Sequence, residues 1–273
     1  MYSHFHSFLA CIALCISCNP DALCGNGEEK SFLINSIKPS AFIEGRINGF
    51  DLDGLVSEQP LPENCFLYDA VDHEGNTGID NALSTMLVDL EGTELEMFPQ
   101  YIEYSIQQGT FLTMIHITGI DDPVSDDCVE VELVLVEGDV LIGGDENILD
   151  GQTLYRKTAE QRTSSQAFIS DGILHAEGLR TSLLIDGEDF LLDIPIHNIA
   201  LRGAFKDGKL QGHLGGVSDI NDLLVLSQIA YAGFFSFLQD RMYQHADMNP
   251  DANGVCQGIS SGFDFDSINA HLR

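Results

Sequence analysis

Between Arg46 and Arg156 the chain has no lysine and no arginine, while 24 aspartates and glutamates fall in the same interval. Over all 273 residues there are 12 basic and 43 acidic side chains, a net charge of −31. Nucleic-acid affinity comes from clustered Lys and Arg that neutralise phosphates, so this balance excludes nucleic acid as a partner. A long hydrophobic run is missing too. A membrane-spanning helix needs about 20 apolar residues; "FLACIALCI" at 8–16 is too short, and "LLVLSQIAYAGFFSFLQ" at 223–239 is interrupted by Ser227, Gln228 and Ser236. The second run reads as a core helix laid on a sheet. No HExxH, GxGxxG or P-loop pattern and no internal repeat is present.

The N-terminal apolar run has the length of a signal-peptide core, which makes residues 1–17 an expected export signal and 18–30 a flexible tether. "CISC" resembles a bacterial lipobox, so Cys18 is the expected lipidation site, and the lipid would be the chain's only attachment to a membrane. With Cys11, Cys15 and Cys18 assigned to the leader and anchor, Cys24, Cys65, Cys128 and Cys256 remain and contain no CxxC pair. Zinc-ribbon and thioredoxin readings therefore lose their support. Four cysteines in an exported chain suggest two disulfides with three possible connectivities. The expected pairing is Cys65 with Cys256, because both flank acidic loops and joining them closes nearly the whole mature chain.

Composition is globular, with 44% hydrophobic residues and a mean hydropathy of +0.03, and nothing after residue 30 marks a boundary, so 31–273 reads as one domain. Leu83, Met86, Leu87 and Leu90 follow helical spacing, with Asp80 placed to cap them, and 95–109 has Pro99 early and Gly109 at its end. Beyond 110 the period becomes two: Val131, Leu133 and Leu135 alternate with Glu130, Glu132 and Val134. "SDG", "IDGED" and "KDGK" carry the residues of tight hairpin turns. The expected fold is α+β, an antiparallel β-sheet or sandwich with two helical segments packed on it, at about 80–108 and 219–243.

Acidic residues concentrate in loops. "DAVDHEGNTGIDN" brings Asp72, Glu74, Asn76 and Asp80 together, and "GFDLDG" adds Asp51 and Asp53 at strand spacing, both on one side. Counted from Asp72, Thr77 replaces the glycine of an EF-hand and Leu83 its closing glutamate, so this is no EF-hand. Oxygen donors at alternate positions suit Ca²⁺, which accepts six to eight of them, and Asp72, Glu74, Asn76, Asp80, Asp51 and Asp53 are the expected ligands; the alternative for the 72–80 loop is an acidic turn that caps the helix after it. "DMNPDANG" offers a second set, Asp247, Asn249, Asp251 and Asn253. "GISSG" at 258–262 matches a nucleophile elbow around Ser260, but only eleven residues follow it, too few for the helix, Asp and His that the elbow requires.

The lipobox-like "CISC", "GFDLDG", "GNTGIDNAL" and the closing "GVCQGISSGFDF" together resemble an uncharacterised family of myxobacterial-type cell-surface lipoproteins. The resemblance implies export to the cell envelope and carries over no catalytic residue. The expected function is an exported, lipid-anchored surface or periplasmic binding or structural module for a protein or glycan ligand, stabilised by calcium. The competing expectation is a secreted hydrolase of glycans or lipids with paired carboxylates such as Asp51 and Asp72.

Overall fold

The computed structural model describes residues 24–25, 27–57, 65, 67–144, 147–157, 164–186, 191–230 and 235–273. The export signal, Cys18 and most of the tether lie outside the described residues, as does the tip of the "IDGED" turn.

Among the described residues twelve strands are formed: β1 (Glu28–Pro39), β2 (Ala70–Val71), β3 (Thr77–Ile79), β4 (Thr113–Ile120), β5 (Asp126–Glu137), β6 (Gln152–Arg156), β7 (Ser164–Ser170), β8 (Ile173–Asp186), β9 (Leu191–Lys206), β10 (Lys209–Asp219), β11 (Met248–Pro250) and β12 (Cys256–Leu272). Eight of them close on themselves. Each of β1, β4, β5, β7, β8, β9, β10 and β12 pairs antiparallel with the next, and β12 pairs antiparallel with β1. The expected sheet is therefore an antiparallel barrel, which removes the free edges an open sheet would leave. β6 pairs with β5 and, in parallel, with the end of β12; β11 pairs with the start of β12, and β2 with β3.

The period-two segments put their apolar residues on the closed side. Ile117, Val131, Ala167, Ala176, Leu201 and Leu214 are all buried, whereas Gln166, Phe168, Glu177 and Arg180 on alternate positions of β7 and β8 are exposed. One end of the barrel is turned by short connections, with Asp171 and Gly172 and then Asp207 and Gly208 at positive φ in the "SDG" and "KDGK" turns. The first basic residue after the acidic interval, Arg156, donates two hydrogen bonds to the largely buried Glu132, at 2.5 and 2.7 Å.

The helices occupy the other end: α1 (Ala82–Asp89), α2 (Phe98–Gln107), α3 (Ile220–Ala230) and α4 (Phe235–His245). Two helical segments were expected; the first divides, and the second is described as helix at 220–230 and 235–245, with 231–234 outside the described residues. Gly92 at φ +77° turns the chain after α1, a 3-10 turn follows at Glu94–Met97, and Pro99 opens α2, whose Gly109 beyond the end has φ +73°. The apolar run at 223–239 is shared between α3 and α4. Among the described residues no helix is long and apolar enough to cross a membrane.

α2 crosses the barrel mouth. Its Glu103 accepts hydrogen bonds from Ser36 Oγ and Ile37 N on β1, and its Ser105 Oγ accepts one from Asp186 N on β8, the strand four places round the ring. Ile102, Ser105 and Ile106 on that helix are fully buried. Disulfides Cys24–Cys128 and Cys65–Cys256, with Cα separations of 5.2 and 5.7 Å, tie the N-terminal residues to β5 and the loop before β2 to β12. Such bonds persist in oxidising compartments.

Candidate metal centre

The three internal motifs, distant in sequence, meet on the outer face of β12. The 47–57 segment runs beside β3: Asp80 N donates to Phe50 O at 2.9 Å, and Ile47 N donates to Val71 O at 3.0 Å. Gly78 makes this approach possible, because it sits at φ +81° and a Cβ there would lie 2.8 Å from Leu55 O. Asn81 locks the strap to the barrel. Its Oδ1 accepts from Gly262 N at 3.1 Å and its Nδ2 donates to Asn48 O at 3.2 Å. Gly262 has no room for a side chain, since a Cβ would lie 2.5 Å from Asn81 Nδ2.

This packing gathers carboxylates. One oxygen from each of Asp51, Asp53 and Asp80 lies within 4.8 Å of the others, with Asp80 buried and the two partners exposed. Backbone amides aim them: Gly54 N donates to Asp51, Leu55 N to Asp53 and Leu52 N to Asp80, at 2.7, 2.8 and 2.7 Å. Asp69 accepts from Ser57 N at 2.5 Å. Asp247 turns inward from its own loop, accepting from Ser260 N at 2.8 Å and from Ser260 Oγ. Ser260 Oγ in turn accepts from Ala82 N at 2.8 Å. The helix α1 is thus capped by Ser260, and Asp80, the expected cap, faces Leu52 instead.

Among the described residues no Lys, Arg or His forms an ion pair with Asp51, Asp53, Asp69, Asp80 or Asp247. The consequences follow from burial and repulsion. Burial pushes the Asp80 carboxyl up to about 8; the Leu52 amide offsets part of this, and the charges of Asp247, Asp53 and Asp69 add to it. Burial likewise raises Asp247 to about 7 against its bonds from Ser260. Asp69 is also raised, by burial first and then by Asp53 and Asp51. A divalent cation reverses this balance, because it favours the ionised form of every carboxylate around it.

The remaining sequence-derived ligands go elsewhere. Asp72 builds its own turn, accepting from Glu74 N and Asn76 N on one oxygen and from Asn76 Nδ2 on the other, at 2.9, 2.8 and 2.6 Å. Burial acts to raise its carboxyl, and those hydrogen bonds outweigh it, leaving Asp72 lowered. Glu74 points to Arg202 at 3.4 Å. In "DMNPDANG", Asp251 closes a turn on Asn253 N and Val255 N at 2.8 and 2.9 Å. Ser260 of "GISSG" is fully buried and bound to Asp247 and Ala82, with no histidine among its bonded partners, so its role is structural. Sequence reasoning placed Asp247 in a separate loop, and only the pairing of β11 with β12 brings it here.

No known protein family, no curated protein and no solved structure matches this chain.

Proposed function

We propose that the chain is an exported, lipid-anchored binding module whose strap is fastened to its barrel by a calcium ion held at Asp51, Asp53 and Asp80. The carrying observation is the convergence of these three carboxylates, beside the buried Asp247, without a basic partner among the described residues. Three carboxylates suit a hard cation that tolerates irregular oxygen shells; Mg²⁺ demands a tighter octahedron and retains its waters. Export is supported by the apolar leader, the lipobox-like "CISC", the two disulfides and the resemblance to myxobacterial-type surface lipoproteins. Titration calorimetry tests the ion: one Ca²⁺ per chain is expected for the wild type and none for Asp51→Asn with Asp53→Asn. The anchor is tested by fractionation, in which Cys18→Ser should move the protein from membranes to the soluble fraction. An unchanged distribution and unchanged N-terminal mass would remove the anchor.

The hydrolase reading has one observation in its favour. A carboxyl raised to about 8 beside two others resembles a general acid with its partner. Against it, the apolar cavity beneath the helices and the polar cleft at Asp72 and His213 are both lined without Asp51, Asp53 or Asp80, so neither brings a substrate to this acid. Turnover of glycan or ester substrates abolished by Asp80→Asn would favour the enzyme.

A further inference from the structure

A cavity of about 110 Å³ lies between the helical layer and the inner face of the barrel. The helices contribute Leu83, Met86, Leu238 and Met242, and the strands contribute Leu183 and Ile194 among others. Three residues with polar side chains line it, Tyr101, Ser218 and Ser261; both serine hydroxyls are engaged, Ser218 Oγ donating to Pro195 O at 2.9 Å and Ser261 Oγ to Gly216 O at 3.1 Å. A buried water needs two to four polar partners, so water has little to hold it here. An apolar cavity of about 150 Å³ stays dry and admits benzene, and this one is smaller and lined mostly by aliphatic side chains.

We infer that this cavity binds the end of a linear alkyl or acyl chain, about four to six carbons deep by comparison with the benzene-sized site, with any polar headgroup left outside. The aliphatic lining sets the class. A carboxylate or sugar inside would find both serine hydroxyls already engaged and would forfeit most of its hydration. The inference deepens the binding-module reading by naming a ligand class. It does not involve the carboxylate cluster, so the calcium experiments and the one below fail separately.

The test uses the full chain in millimolar Ca²⁺ with ¹³C-methyl methionine, titrated with sodium octanoate below its micellar range. Met86 and Met242 report the cavity, and Met97 and Met114 serve as controls outside its lining. The expected result is a saturable shift of the Met86 and Met242 methyls alone, weakened at least tenfold in Leu183→Phe, which fills the space without adding polarity. Leu238→Phe repeats the fill from the helical side should the strand variant not fold. Butanediol, of similar length but polar at both ends, should not compete. Absence of a saturable shift, equal shifts at all methionines, or undiminished binding in a folded filled variant would overturn the inference.

Discussion

Asp80 is 5% exposed and faces other carboxylates, while the one described hydrogen bond to its carboxylate comes from Leu52 N. Its carboxyl and that of Asp247 are raised in the folded chain, so without a cation the folded state holds protons that the unfolded chain releases near pH 4. The stability they contribute is complete below that pH and is lost as pH rises through about 7 to 8. A melting temperature measured in EDTA should accordingly fall between pH 5 and 8, and Asp80→Asn should flatten the fall. Asp72 and Asp264 act in the opposite direction. Burial tends to raise both, hydrogen bonds outweigh it, and their stabilisation is lost only as pH drops through their lowered values. The acidic pairs were legible at this scale, because Asp51 and Asp53 are two apart in a stretch devoid of basic residues. For Asp72 two readings stayed open, because alternate oxygen donors suit a cation and an acidic turn equally, and the bonds to Asn76 favour the turn.

Among the elements, β12 carries most of the assembly. It closes the barrel against β1 and β10, supplies Ser260 and Gly262 to the residues that open α1, and holds Cys256 opposite Cys65. The Cys65–Cys256 pairing was expected, since it closes a loop of 191 residues. Replacing both cysteines by serine should cost about 2–5 kcal/mol, read as a lower denaturation midpoint with little change in the slope. A larger loss for Cys24 and Cys128 than for this pair would place the main constraint at the other disulfide. Strands and hairpins were legible from period two and from turn residues. Closure was not, because alternation identifies a strand's buried face but not its neighbour, and β1 meets β12 from the opposite end of the chain. The helical boundaries were blurred too. The first helix ends at Asp89 with Leu90 as its cap, and Gly92 at positive φ then turns the chain.

At the scale of the molecule, a net charge of −31 is distributed over a barrel whose apolar residues face inward. Self-repulsion of this size makes the fold sensitive to whatever screens it, and monovalent salt should raise the melting temperature modestly and without saturation at low concentration. A bound calcium acts differently. On the proposed reading it is specific, saturates at one equivalent and depends on Asp51, Asp53 and Asp80. The most direct measurement is the melting temperature at pH 8 and fixed ionic strength, in EDTA and in millimolar CaCl₂, for the wild type and for Asp51→Asn with Asp80→Asn. At a concentration 100-fold above Kd a site present only in the folded state adds about 2.7 kcal/mol, or roughly 5–10 °C for a chain of this size. That rise is expected for the wild type, a small one with magnesium, and none in the double variant. Equal wild-type melting temperatures in EDTA and calcium would contradict the proposed calcium site.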